Sequence, residues 1–195
     1  MSNGILKGKR GIIFGALDSK SIAWKVAEHA KAEGAEIVLT NAPIALRMGT
    51  INELAEKINS IVIPADATNM EDLKNLYEKS VEHFGGKIDF VLHSIGMSVN
   101  VRKGKKYYEQ NHDWTMKGYD VSALSFHKTM QAAWELDALN EYGSVIGLSY
   151  IAAQRVFHTY NDMADNKAML ESIARSFGYH YGLRRKVRVN TISQS

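Results

Sequence analysis

Short apolar runs and longer amphipathic stretches alternate along the whole chain. The runs have the length of buried strands, whereas the stretches repeat their apolar residues every three to four positions, which is typical of helices. The pattern predicts six strands, at residues 9–16, 36–40, 61–65, 88–95, 144–150 and 187–193. It also predicts five helices, at about residues 21–33, 44–58, 70–84, 113–139 and 160–181, with a loop at 96–106.

This alternation is typical of an α/β fold. Short strands that are apolar throughout are covered on both faces, and parallel neighbours need helical crossovers. We therefore expect a doubly wound, Rossmann-type parallel sheet that forms one domain over residues 1–195. Ligands bind such sheets beyond the carboxyl ends of the strands, near the point where the strand order reverses. Gly15, Asp66, residues 93–96 and Tyr150 all follow or end predicted strands, so we expect them to share one crevice.

Composition narrows the class of protein. The 195 residues, 45% of them hydrophobic, are enough to bury a core, which favours a soluble globular domain. The absence of cysteine from the sequence excludes disulfides and thiolate metal sites, and the histidines are too scattered to predict a metal. A net charge of +3 is weak evidence for a nucleic-acid partner. No apolar run approaches the ~20 residues of a membrane span, so we expect no membrane contact and a cytoplasmic location.

The first strand-to-helix turn, residues 14–22 (FGALDSKSI), is a candidate nucleotide site. The start of a helix after a buried strand presents backbone N–H groups and a positive dipole end to a pyrophosphate. The turn does not match the G-x-G-x-x-G pattern, because Gly15 is its only glycine. Ser21 could bind phosphate or cap the helix, and a simple N-cap serine explains the pattern equally well.

Two further strand ends bear on the choice of cofactor. Asp66 could accept a hydrogen bond from an adenine amino group, although an Asx-type turn before the next helix is an equally good interpretation. An acidic residue at the end of the second strand would bind the ribose hydroxyls of NAD, but Asn41 and Ala42 stand there. Arg47 is close enough in sequence to receive a 2′-phosphate, although a solvated helix arginine is the simpler interpretation. NADH and NADPH therefore both remain open.

Tyr160 and Lys167 are the candidate catalytic pair. If Tyr160 opens a helix, Lys167 lies almost two turns further on, at ~3.6 residues per turn, and both side chains share one face. A nearby cation favours the phenolate and brings a phenol closer to useful proton transfer. Tyr150 lies ten residues upstream. The spacing alone is also compatible with an ordinary solvated helix face.

Taken together, these motifs resemble the enoyl-acyl-carrier-protein reductases of fatty-acid synthesis, a divergent branch of the short-chain dehydrogenase/reductases. Ordinary members of that superfamily place the lysine four residues after the tyrosine, where this chain has Ala164. Six residues separate Tyr160 from Lys167 instead, and Tyr150 matches the second tyrosine of the enoyl reductases. The remaining matching segments are Ser21-Ile22-Ala23, Asp66, His93-Ser94-Ile95-Gly96, Leu148-Ser149-Tyr150 and residues 187–193.

The resemblance implies hydride transfer from NADH or NADPH to the β-carbon of a trans-2-enoyl thioester carried by acyl carrier protein. It implies that Tyr160 stabilises the oxyanion, that Tyr150 is a second active-site tyrosine, and that Lys167 binds the nicotinamide ribose. Ser98 matches a substrate-contacting position. The positions that match cofactor contacts are Gly15, Ser21, Ile22, Ala42, Asp66, Ala67, Ile95 and Lys167.

The resemblance also implies features beyond the site. The family continues past the position of Ser195, with a seventh strand and a segment that covers the substrate, so we expect this chain to be truncated and to turn over poorly by itself. Relatives form tetramers through surfaces that match residues 113–139 and the helix after Tyr160. The alternatives are a short-chain reductase that acts on a carbonyl and a nucleotide-binding module without catalysis.

Overall fold

A single parallel sheet organises the protein, and the computed structural model describes residues 3–194 of it. The strands lie in the order β3-β2-β1-β4-β5-β6, and every neighbouring pair is parallel. The order reverses between β1 and β4, which places the crevice of a doubly wound sheet there. The predicted fold class is thus confirmed. The strands are β1 (Arg10–Phe14), β2 (Glu36–Thr40), β3 (Ile61–Val62), β4 (Ile88–His93), β5 (Leu139–Tyr150) and β6 (Arg188–Gln194).

Helices connect the strands and cover both faces of the sheet. They are α1 (Ile22–Ala32), α2 (Pro43–Met48), α3 (Ile51–Lys57), α4 (Met70–Phe84), α5 (Val99–Arg102), α6 (His112–Tyr119), α7 (Ser125–Glu135) and α8 (Asp162–Arg185). A π-helical turn at Asp120–Leu124 joins α6 to α7, and 3-10 turns lie at Tyr107–Glu109 and Ile151–Ala153. Within residues 3–194, no helix has both the length and the apolar character needed to cross a membrane.

The core consists of two apolar layers, one on each face of the sheet. Successive residues of a strand point to opposite faces, so Ile12 and Phe14 join one layer and Ile13 joins the other. The first layer includes buried residues of α4, α7 and α8, such as Leu76 and Phe126. The second is formed with α1 and α3. This double coverage is why the strand sequences are apolar throughout.

Several predicted elements differ from the structure: β3 ends at Val62 rather than at residue 65, and α5 lies within the loop predicted at 96–106. The single helix predicted over residues 44–58 is two helices, because Gly49 lies against the backbone of Leu17 and a side chain there would overlap the Leu17 carbonyl oxygen. The long helix predicted over 113–139 is interrupted by the π-helical turn and ends at Glu135. The fifth strand begins at Leu139 rather than residue 144, because Leu139 pairs with Ile88 ahead of an irregularity in the ladder.

Candidate active site

Gly15 directly follows β1, at the point where the strand order reverses. Its φ of +88° lies in the region that favours glycine, and a Cβ atom there would overlap the carbonyl oxygen of Ser94, just after β4. Its N–H donates to the carbonyl of Thr40 at the end of β2, over 3.1 Å. The glycine therefore lets three neighbouring strand ends meet closely beneath the first helix.

Ser21 occupies the N-cap position of α1, but its side chain forms no capping hydrogen bond. Its hydroxyl donates to the carbonyl of Asp18 over 2.8 Å and accepts from the N–H of Leu17 over 3.3 Å, so it closes the turn on itself. The N-cap position that the alternative gave to Ser21 is therefore right, whereas the hydroxyl does not satisfy the helix N–H groups. The first N–H groups of α1 are consequently not used by a side-chain cap, and they face the crevice end of the sheet with the positive end of the helix dipole. This turn fits a pyrophosphate.

A cavity of about 200 Å³ opens beyond the carboxyl ends of β4 and β5. It extends from the first residue of α1 to the start of α8. Five residues predicted for the site line it together, namely Ile22, Ile95, Tyr150, Tyr160 and Lys167. Its other lining residues are Ser94, Gly96, Leu148, Ser149, Met163 and Gln194. Residues from five separate parts of the chain thus converge beside the nucleotide turn.

Tyr160 reaches this cavity from outside the helix. It was predicted to open α8, but the helix begins two residues later, at Asp162, because Asn161 occupies the N-cap position. The Asn161 carboxamide oxygen accepts from the N–H of Asp162 over 2.7 Å. The rings of Tyr150 and Tyr160 nevertheless pack with centroids 4.5 Å apart, at 41°. Within the described chain, neither hydroxyl forms a hydrogen bond, so both are free to bind a ligand.

Lys167 is held by the strand ends rather than by an acid. Its ammonium donates to the carbonyl of Leu148 over 2.7 Å and, at 3.5 Å, to that of Ile95. The side chain is only 5% exposed, and burial lowers the pKa of Lys167 to about 8. An ammonium has three N–H donors, so one remains for a hydroxyl in the cavity.

The Tyr160 phenol is a hydrogen-bond donor at neutral pH. Burial raises the pKa of Tyr160, and the neighbouring Tyr150 raises it further. The expectation that a nearby cation would draw the phenol toward its anion was wrong, because burial of the ring disfavours the anion and raises the pKa. A protonated phenol can stabilise negative charge that develops on a substrate oxygen.

The residues predicted to contact the adenine side of a cofactor form local hydrogen bonds or are buried. The Asp66 carboxylate accepts from the N–H and the hydroxyl of Thr68, over 2.9 and 2.8 Å, which is the Asx-type turn described above. The N–H of Ala42 donates to the carboxamide oxygen of Asn41 over 2.9 Å. Ala67 is buried. These residues follow β2 and β3, at the same edge of the sheet as Gly15, and their contacts with a cofactor stay predictions.

Ser98 lies away from the cavity. It is buried and caps α5, where its hydroxyl accepts from the N–H of Val101 over 3.0 Å and donates to the carboxylate of Asp162. The hydroxyl is therefore engaged inside the protein. Its predicted contact with substrate stays a prediction.

Sequence reasoning missed Asp162. An acidic residue in the first turn of a helix is usually solvated surface charge, so its position in the sequence does not indicate a role in the site. His93, the last residue of β4, packs against an aromatic ring and forms a hydrogen bond. Its ring lies 5.1 Å from that of Phe126, and Nε2 is 2.9 Å from the hydroxyl of Ser125. Burial lowers the pKa of His93 to about 3, so this histidine is neutral in the folded protein.

The doubly wound sheet has an open helix start at its first turn, and one cavity gathers Tyr150, Tyr160 and Lys167. These features define a dinucleotide-dependent oxidoreductase of the short-chain dehydrogenase/reductase class. A family model described as enoyl-(acyl carrier protein) reductase matches residues 15–195. The chain belongs to this family, as the resemblance predicted.

Individual relatives agree with the family model. An enoyl-[acyl-carrier-protein] reductase [NADH] of Rhizobium meliloti is 35% identical over 98% of this chain and 70% of its own length. A FabI of Rickettsia bellii, also named as NADH-dependent, is 33% identical over 99% of the chain and 72% of its own length. The crystal structure of a FabI–NADH complex from Alistipes finegoldii superposes with a TM-score of 0.97 at 64% identity, over 98% of this chain and 68% of that one.

Proposed function

We propose that the protein reduces the trans-2 double bond of enoyl thioesters on acyl carrier protein, with NADH as the hydride donor, in fatty-acid biosynthesis. The observation that carries this proposal is the convergence of Tyr150, Tyr160 and Lys167 in one cavity beside Ile22 of the first helix. The relatives described above are named for this reaction and for NADH, which favours NADH over NADPH.

The proposed mechanism uses Tyr160 as an electrostatic catalyst. When bound, reduced nicotinamide would supply the hydride for the β-carbon. Negative charge would develop on the thioester oxygen, and the resulting enolate would then be protonated at the α-carbon. The Tyr160 hydroxyl donates a hydrogen bond to that oxygen, and the bond strengthens as charge grows, which stabilises the transition state more than the ground state. Because burial raises the pKa of Tyr160, the phenol is protonated when substrate arrives.

Lys167 has a binding role in this proposal. Its bonds to the carbonyls of Leu148 and Ile95 fix the ammonium at the strand ends. The remaining N–H would hold the ribose hydroxyls of the nicotinamide half of the cofactor. The N-terminus of α1, next to Gly15 and Ser21, would receive the pyrophosphate. Ala42, Asp66 and Ala67 would lie on the adenine side.

An adjoining cavity of about 370 Å³ offers a place for the acyl chain. Its walls include Ala152, Val156, Phe157 and Ala164, and the Phe157 ring lies 5.4 Å from that of Tyr150. An apolar wall beside the two tyrosines would let the carbon chain leave the reacting thioester without entering water.

Three wider expectations accompany this proposal. We infer that residues 1–195 form one dinucleotide-binding domain and that the protein works in the cytoplasm. We also infer a homotetramer. Support for assembly comes from exposed apolar side chains on the two predicted surfaces, Met116 on α6 and Tyr179 and Leu183 on α8, because exposed apolar groups of this size are typical of protein contacts when they form a patch.

The reaction is tested by following NADH oxidation by the protein under three conditions. We expect rapid oxidation with a trans-2-enoyl thioester and only background with a β-ketoacyl thioester or with no substrate. A preference for the ketoacyl thioester would favour a carbonyl reductase. Tight NADH binding without oxidation by either thioester would favour a nucleotide-binding module.

The rate should depend on pH through Lys167. Burial disfavours the charged form and lowers the pKa of Lys167 to about 8, so the ammonium is present below pH 8 and is lost as pH rises through that value. We expect kcat/KM, which reports on the free enzyme, to be flat below pH 8 and to fall above it. Lys167→Arg is the control, because arginine keeps its charge. An alkaline limb that persists unchanged in Lys167→Arg would show that another group titrates.

A further inference from the structure

A buried carboxylate lies between Tyr160 and Lys167 in sequence. Asp162 is 0% exposed, and its charge is met by neutral donors rather than by a cation in residues 3–194. The Ser98 hydroxyl donates to one carboxylate oxygen, and the Asn100 carboxamide donates to the other over 2.9 Å. A carboxylate is costly to bury, and donors of this kind together with a helix N-terminus offset the cost. Asp162 takes no part in the mechanism proposed above.

The backbone between Tyr160 and Asp162 is in a rarely populated conformation. Asn161 has φ +47° and ψ −138°, outside the regions that ordinary L residues occupy. Its own side chain holds this geometry from both sides: the oxygen accepts from the N–H of Asp162, and the nitrogen donates to the carbonyl of Lys105. Backbone of this kind persists only where surrounding contacts fix it.

Asn100 connects the same carboxylate to two other helices. Its nitrogen also donates to the hydroxyl of Thr115 on α6, over 3.0 Å, and its oxygen accepts from the N–H of Asn111, which caps α6. Asp162 therefore ties the first turn of α8 to α5 and α6 through one connected set of buried hydrogen bonds. Tyr160 directly precedes Asn161, so the strained residue connects the anchored start of α8 to the phenol.

We propose that Asp162 is a positioning residue for Tyr160. The carboxylate anchors the start of α8 to Ser98 and Asn100, this anchor holds Asn161 in its strained conformation, and the strained turn directs the phenol into the cavity. The inference rests on the proposed function, because only a reaction at the Tyr160 hydroxyl makes its direction matter. In well-organised sites a displacement of about 1 Å can cost roughly 10²-fold in rate.

The first test exchanges the hydrogen-bond donor and acceptor between Asn100 and Asp162. Asp162→Asn replaces one of the two acceptor oxygens by an N–H donor, so either the Ser98 hydroxyl or the Asn100 amide faces a donor instead of an acceptor. The pair Asn100→Asp with Asp162→Asn reverses the contact and restores it. We expect kcat to fall by about 10-fold or more in Asp162→Asn, with little change in the KM for NADH, and to recover most of that loss in the exchanged pair.

A matched control separates positioning from general stability. Asp137→Asn removes a carboxylate that accepts from Lys87 and Arg185 at the amino ends of β4 and β5, the opposite end of these strands from the cavity. We expect this variant to lower Tm while leaving kcat unchanged. Asn161→Gly is a second variant, because glycine adopts the observed φ without strain but lacks both side-chain bonds. It should fold, and its kcat should fall because nothing holds the turn.

A second readout does not depend on turnover. In protein that contains 3-fluorotyrosine, the fluorine NMR signal of residue 160, assigned by its loss in Tyr160→Phe, should be single and narrow. It should shift or broaden in Asp162→Asn and Asn161→Gly and return in the exchanged pair. A wild-type protein that is inactive with enoyl thioesters would overturn the proposed reaction, while this signal would still decide the positioning. An unchanged signal and unchanged kcat in both variants would overturn the positioning.

Discussion

Replacement of Tyr160 by phenylalanine should lower kcat by about 10²–10³-fold, the range found when one oxyanion-stabilising donor is removed. The ring and its packing on Tyr150 would remain, and only the hydroxyl that lines the cavity would be lost. We expect the affinity for NADH to change little, because the cofactor is bound mainly by the first turn and Lys167. Steady-state kinetics with a saturating enoyl thioester and a fluorescence titration of NADH would measure the two effects.

Tyr150→Phe is the matched control, because it removes the same atom from the adjoining ring. Tyr150 lies between Phe157 and Tyr160, with ring centroids 5.4 and 4.5 Å away, and this packing survives the loss of its hydroxyl. We therefore expect a smaller fall in kcat than for Tyr160→Phe. A loss of NADH binding with unchanged turnover in Tyr160→Phe would contradict the role assigned to that residue.

The sequence predicts most accurately those elements whose ends are marked by adjacent residues. Helix α4 lies at residues 70–84, as predicted, because Asn69 caps it by accepting from the N–H groups of Glu71 and Asp72, and Gly85 ends it at φ +63°. Both signals are local, so a sequence pattern contains them. The break at Gly49, in contrast, depends on contact with Leu17, more than thirty residues away, and periodicity cannot indicate such a contact.

The same distinction applies to the site. The resemblance placed Tyr150, Tyr160 and Lys167 in one active site, and they line one cavity even though Tyr160 lies outside the helix. The burial of Asp162 could not be predicted, since its partners Ser98 and Asn100 lie about sixty residues away. The direction of the Tyr160 pKa shift also depends on burial, which spacing does not reveal.

Gly15→Ala should produce the largest loss of stability, about 2–5 kcal/mol. A side chain at φ +88° costs about 1–2 kcal/mol, and overlap with the carbonyl oxygen of Ser94 adds about 1–3 kcal/mol. Denaturant unfolding would measure the change from the midpoint at constant slope. Because Ser94 lines the cavity, the shift needed to relieve the overlap should also weaken NADH binding.

Gly85→Ala is the control for Gly15→Ala, because it measures the cost of a side chain at positive φ without steric overlap. Gly85 has a φ of +63°, but a Cβ atom there would meet nothing within 4 Å. We expect this variant to lose only about 1 kcal/mol and to bind NADH as tightly as the wild type. Equal losses of stability in the two variants would mean that the close approach of β1 to Ser94 does not require glycine. The nucleotide turn would then tolerate a side chain at residue 15.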